Sequence, residues 1–119
     1  MNAMSREGLL AALPTVLPEP VAVPALDLVV FVRPLSGIQR DALELNQHER
    51  RRKGLPPNFR GMIVALGACT ESGVRVFTDE DAEALGAVRA DVLEPIAEKI
   101  QQASGYSVAD VKALGKDLA

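Results

Sequence analysis

Eight prolines punctuate the chain, and their spacing limits what it can fold into more than any other feature. Pro14, Pro18, Pro20 and Pro24 fall within eleven residues. Each removes a backbone donor, fixes its own φ and pushes the residue before it towards extended geometry, so no helix crosses this stretch. Pro34 ends the apolar run that follows, and Pro56-Pro57 makes a firm break near the middle. The expected organisation is a flexible, Pro-rich arm over residues 1–20 and a single, mostly helical domain over residues 21–119.

Between these breaks the side-chain spacing assigns the elements. Ser5 can cap a short helix to Leu13, with Leu9, Leu10 and Leu13 on one side. Leu26 to Val32 is rich in β-branched and aromatic residues and reads as a strand, with Val21-Ala22-Val23 as its hairpin partner. Ser36 opens a helix to about Lys53, where Ile38, Ala42 and Leu45, widened by Leu43, form the expected apolar stripe. His48-Glu49-Arg50-Arg51-Arg52-Lys53 followed by Gly54 is a C-terminal signal. A third helix is expected from an Asn58 cap, with Phe59, Met62, Ile63, Leu66 and Cys69 facing the core. Val74 to Phe77 is a short extended piece.

Thr78-x-x-Asp81 and Ser107-x-x-Asp110 each resemble a capping box and mark two further helix starts. The first helix is expected to reach about Leu85. A longer one between the two boxes is expected from Asp91, with Leu93, Ile96, Ile100 and Ala103 buried, Pro95 at or just past its first turn and Gly105 as its C′ residue. Val108, Val111 and Leu114 form the apolar side of the last short helix. The fold class is mainly α with a small N-terminal β-hairpin (α+β), a compact four- to five-helix domain.

Hydrophobic residues make up 48% of the chain, enough for a core. Aromatics are limited to Phe31, Phe59, Phe77 and Tyr106, so that core is Leu, Val, Ile and Ala. A net charge of −3 argues against a generic nucleic-acid binder. The single cysteine, Cys69, excludes an internal disulfide and fits a reducing compartment. No apolar run reaches the roughly 18 residues of a membrane span, and the N-terminus lacks a signal-peptide pattern. A soluble, cytoplasmic protein is expected.

Catalytic and metal chemistry find little support. The one histidine, His48, lies in a charged run, and Cys69 lies on an apolar face. Asp79, Glu80, Asp81 and Glu83 lack calcium-loop spacing, and acidic residues in a first helical turn are expected from the helix dipole alone. No cofactor or metal is expected. The one concentrated charge feature is Arg50-Arg51-Arg52-Lys53. It reads as a solvated helix end, as a contact for an acidic partner, or, without aromatic residues interleaved to stack on bases, less readily as a nucleic-acid contact. The arm carries Val16, Leu17, Val21 and Val23, which suit either a linker or a segment that docks on a partner or a neighbouring subunit.

The order of the elements resembles the tail assembly chaperones of long-tailed bacteriophages. The likeness covers about Val21 to Leu118. It is carried by Val32-Arg33-Pro34-Leu35-Ser36-Gly37 before a charged helix, by Ser72-Gly73-Val74-Arg75-Val76-Phe77-Thr78-Asp79-Glu80-Asp81, by Leu93-Glu94-Pro95-Ile96 and by Ser107-Val108-Ala109-Asp110-Val111. Phe77-Thr78-Asp79-Glu80-Asp81, followed by Ala82 and Leu85, is the most distinctive part. The resemblance implies a helical adaptor that does no chemistry. It would bind the tape-measure protein, keep that long helical polypeptide soluble and help recruit the major tail-tube protein. It further implies self-association as an option, a place in the cytoplasm of a bacterial host, and absence from the mature virion. The competing expectation is a small DNA-binding or regulatory adaptor using residues 50–53.

In such phages a ribosomal frameshift near the gene's end often produces a longer form, and codons for Gly115-Lys116 can contain a slippery run of G then A. Sequencing the gene checks this: a longer form is expected only if that run is present.

Overall fold

The computed structural model describes residues 5–13, 16–107 and 109–112. Helix α1 (Arg6–Ala12) comes first, with the Ser5 hydroxyl accepting from the Gly8 N–H as predicted. It has no buried residue. Strands β1 (Glu19–Val23) and β2 (Leu28–Val32) pair antiparallel from Glu19↔Val32 to Val23↔Leu28, so Glu19 and Pro20 are already part of the sheet. Pro20 is accommodated because β1 is an edge strand, where a missing donor need not face a neighbour. Asp27 closes the hairpin in the left-handed region (φ 51°), which Asp adopts more readily than most residues.

Helix α2 (Gly37–Arg52) begins at a full capping box: the Ser36 hydroxyl accepts from the Gln39 N–H, and the Gln39 side chain accepts from the Ser36 N–H. Its buried face differs from the predicted stripe. Ile38 and Leu45 are 83% and 60% exposed and Ala42 is half-buried, whereas Leu43 and Gln47 are the residues turned into the core. The reason lies across the interface. Gln39 also donates from Nε2 to the Leu66 carbonyl at 3.0 Å, which fixes the helix rotation so that the 39–43–47 row points inward.

Helix α3 (Phe59–Gly67) is the centre of the molecule, and every residue from Gly61 to Gly67 is buried. The expected amphipathic stripe is therefore one side of a helix covered all round. It also ends sooner than expected: Ala68–Cys69 forms β3, paired to Val32 and Phe31 of β2, so Cys69 is a strand residue and the hairpin becomes a three-stranded sheet. Asn58 makes no side-chain cap. Its amide is instead wedged between two helices and donates to the Ala82 carbonyl at 2.8 Å. A Cβ on Gly61 would lie 2.6 Å from that same carbonyl, and one on Gly67 would lie 2.7 Å from an Ile100 methyl. Both glycines serve close helix packing.

Four C-terminal carbonyls of any α-helix lack intrahelical donors, and in a buried helix each needs another partner. Here they draw on four parts of the chain. Val64 O accepts from the Ala68 N–H, Ala65 O from Arg75 Nε (2.9 Å), Leu66 O from Gln39 Nε2 (3.0 Å) and Gly67 O from the Arg33 N–H (3.0 Å). The Arg75 charge also complements the negative end of the helix dipole, and it is held by Asp79 at 2.6 Å.

Thr78 and Asp81 form the predicted box at the start of a helical turn (Asp79–Asp81) that runs into α4 (Ala82–Gly86). Helix α5 (Ala90–Ala103) starts one residue before the expected Asp91, within the usual latitude of helix ends. Leu93, Ile96, Ala97 and Ile100 are buried, with Ala103 half-buried. Gly105 has φ +78°, as a C′ residue requires. The Ser107 hydroxyl accepts from the Asp110 N–H, and the Asp110 carboxylate accepts from the Ser107 N–H, completing the second box. Of that helix's expected apolar side, Val111 packs on the core; Val108 and Leu114 lie outside the described residues.

The α3 terminus supplies a stability prediction. Gln39→Ala and Arg75→Met each strand a carbonyl at a packed helix end and should cost about 1–3 kcal/mol. Gly37→Ala, where a Cβ meets nothing within 4 Å, should be close to neutral. Urea denaturation of the three variants checks the ranking.

Candidate functional site

The basic helix end does not act as one patch. Arg50 turns inward: its side chain is 11% exposed, its Nε donates to the Pro56 carbonyl at 2.7 Å, and its guanidinium pairs with Glu83 of α4. It joins the end of α2 to the proline break and to α4, at a shallow surface hollow also lined by Asn58 and Gly86. Arg51 contacts His48 Nδ1 at 2.9 Å, and Arg52 pairs with Glu49 at 2.6 Å. That pairing holds the exposed Glu49 carboxyl below its ordinary pKa. Lys53 is the C-cap, followed by Gly54 at φ +70°. Of the four residues singled out from the sequence, the structure thus leaves Arg51, Arg52 and Lys53 exposed and makes Arg50 an internal brace.

Cys69 is buried beside β2. Burial raises its thiol pKa, opposed by the charge of Arg33, so it is poorly placed to act as a nucleophile. Among the described residues no group of three or more His, Cys, Asp or Glu side chains is arranged to hold a metal. No helix among them is long and apolar enough to cross a membrane.

Apolar side chains are the more informative surface. Val21 and Val23, counted from the sequence with the arm's docking residues, belong to the core. Val16 and Leu17 do not, and Leu17 is 74% exposed. With Leu9 and Leu10 of α1 and Leu13 at its C-cap they make five exposed large apolar residues within nine positions. A second uncovered area lies on the sheet. Side chains alternate between faces along a strand, so with Val21, Val23 and Val32 inside, Pro20, Ala22, Val29 and Phe31 share the outer face. Pro20, Ala22 and Val29 are exposed there and Phe31 is half-buried. The signal was present in the sequence. Leu28-Val29-Val30-Phe31-Val32 has no polar alternation, which is the pattern of a strand covered on both faces.

The third feature is a surface hollow of about 320 Å³ between the last turns of α5 and the segment after it, lined by Glu98, Gln101, Gln102, Tyr106, Ser107, Val111 and Lys112. Tyr106 is 8% exposed, with Phe59 edge-on at 6.1 Å between ring centroids and the Arg40 guanidinium 4.0 Å above its ring. Burial pushes its phenol pKa up, and the Arg40 charge pulls the other way. Its hydroxyl is buried and makes no hydrogen bond of normal geometry among the described residues, although the Arg40 guanidinium lies close enough to act on it.

No family model, curated protein or solved structure matches the chain.

The divided roles of the basic run give a test. Arg50→Ala removes a hydrogen bond and a packed stem and should cost about 1–2 kcal/mol. Arg52→Ala, at a pair open to solvent, should change stability by less than about 0.5 kcal/mol. Thermal unfolding of the two variants separates bracing from surface charge.

Proposed function

We propose that this protein is a non-enzymatic tail assembly chaperone that binds the tape-measure protein, keeps it soluble and helps recruit tail-tube protein. The observation that supports this most is β2, whose sequence is apolar on both faces while its outer face, among the described residues, leaves Val29 exposed and Phe31 half-buried. The leucines of α1 add a second apolar surface on an element that buries nothing of its own. A long amphipathic polypeptide exposes large apolar patches until it is enclosed, and such patches aggregate. An adaptor presenting apolar surface can cover them by taking the partner helix's apolar face, and several copies along one target add avidity.

The alternative, a DNA-binding or regulatory adaptor working through residues 50–53, draws less support. Arg50 is committed to Pro56 and Glu83, which shortens the run available to phosphate.

Co-expression with the longest coiled-coil-like protein encoded nearby tests the chaperone reading. The partner is expected to stay soluble and co-purify. Val29→Glu and Leu17→Glu, at exposed positions, are expected to weaken co-purification while leaving thermal stability within about 0.5 kcal/mol. A folded protein that neither rescues nor binds the partner would overturn the reading, and salt-sensitive DNA binding would be the next measurement.

A further inference from the structure

We infer that the outward face of α2 pairs with the same face of a second copy of this chain, the two helices running antiparallel. Ile38, Asp41, Leu45, His48 and Arg52 are all exposed, and they follow one another in alternating steps of three and four residues. That spacing keeps them on one side of the helix and is the seam of a two-helix coil. The row turned into this molecule's own core is a different one, Gln39, Leu43 and Gln47, of which the last two are buried. Helix α2 thus carries two seams, and its own chain uses one. The apolar members of the other are left in water: Ile38 is 83% and Leu45 60% exposed. The helix dipole favours an acidic start and a basic end on any helix. It gives no account of an isoleucine and a leucine exposed at seam spacing.

The charges on the seam select the occupant and its direction. Asp41 stands in the first half of α2 and Arg52 at its end. Parallel copies would set Asp41 against Asp41 and Arg52 against Arg52, like charge against like. Antiparallel copies join the two kinds of seam position in each layer. They set Asp41 against the second copy's Arg52, at both ends of the contact, and Leu45 against the second copy's His48. With a rise of about 1.5 Å per residue, the two Leu45 side chains then lie within one helical turn of each other, about the two-fold axis. Asp41 makes no ion pair among the described residues, so it comes to the contact uncommitted, while Arg52 has only its exposed pair with Glu49 to exchange. The face is complementary to itself, as an isologous dimer requires. Sixteen residues make α2 roughly 24 Å long, so the contact belongs with small, transient interfaces, and a dissociation constant on the order of 100 µM is expected. None of the five residues belongs to the sheet or to α1, and the pairing does not depend on the chaperone reading.

Sedimentation equilibrium of the full-length protein, from about 10 µM to about 1 mM, tests the pairing. The wild-type chain should pass from monomer to dimer across that range. Leu45→Glu, at the centre of the contact, should weaken association about tenfold or more. Asp41→Lys and Arg52→Glu, each alone, set like charges together at both ends of the contact and should weaken it about tenfold. Mixed in equal amounts, these two variants should associate as the wild type does. Each mixed pair sets the introduced lysine against the introduced glutamate, and an original Asp41 against an original Arg52. Damage to the fold of either variant cannot be undone by mixing, so recovery reports a contact between copies. A wild-type chain that stays monomeric to the top of the range would overturn the pairing, and so would a dimer indifferent to Leu45→Glu. Charge variants that associate as the wild type does, or weakened variants that mixing does not restore, would overturn its antiparallel register.

Discussion

A helix enclosed on every side has nowhere to send its unpaired carbonyls except to the rest of the chain, and α3 meets that constraint by recruiting widely. Ala65, Leu66 and Gly67 are completed by Arg75, Gln39 and Arg33, residues that belong to three different stretches of sequence. Each bond orients its owner as well as satisfying α3. Gln39 sets the rotation of α2, Arg33 carries the end of β2 to the helix, and Arg75 brings the 74–77 segment beside β3, where it bridges to Cys69. The hydrophobic core supplies most of the driving force for collapse, but apolar contact is not directional. The register of the elements around α3 is set by these polar completions and by Gly61 and Gly67, which let its neighbours approach.

The sequence disclosed features governed by a few adjacent residues. Ser5, Ser36, Thr78 and Ser107 each start a helix or helical turn, and Gly54 and Gly105 sit beyond helix ends with positive φ, because caps depend on backbone groups three or four residues away. Prolines marked the hairpin and the central break for the same reason. What failed was rotation and partnership. On α2 the row Ile38–Ala42–Leu45 looks more apolar than Leu43–Gln47, yet the second row is inside, and no property of α2 alone says so. Asn58 reads as a cap, and its amide instead fills the space between Gly61 and Gly86. Cys69 continues the helical spacing but belongs to a strand, since the chain must turn to pair with β2.

The same limit applies to function. Four consecutive cations look equivalent on paper, and the fold gives the first of them a different occupation from the rest. A triple substitution across Arg50, Arg51 and Arg52 would therefore mix loss of a structural brace with loss of surface charge. The apolar surfaces were half legible. Their residues could be named, and the unbroken apolar run of β2 hinted at a second cover, but only the alternation of the finished sheet puts Val29 and Phe31 on its outer face, with Val29 left exposed. The meeting of Arg40, Phe59 and Tyr106 is the least legible of all, because it depends on three separated elements.

Pro20 bears on how copies of this protein can meet. A sheet with an apolar outer face and a free edge strand is the kind of surface from which strands stack chain upon chain into fibrils. Proline in that edge strand cannot give an approaching strand the hydrogen at its position, and β1 has only five residues in which to make up the loss. An apolar face can thus stay exposed while growth along its rim is disfavoured: any meeting of copies is steered to side-chain contacts, which can be made and undone, and away from backbone ladders, which tend to be permanent.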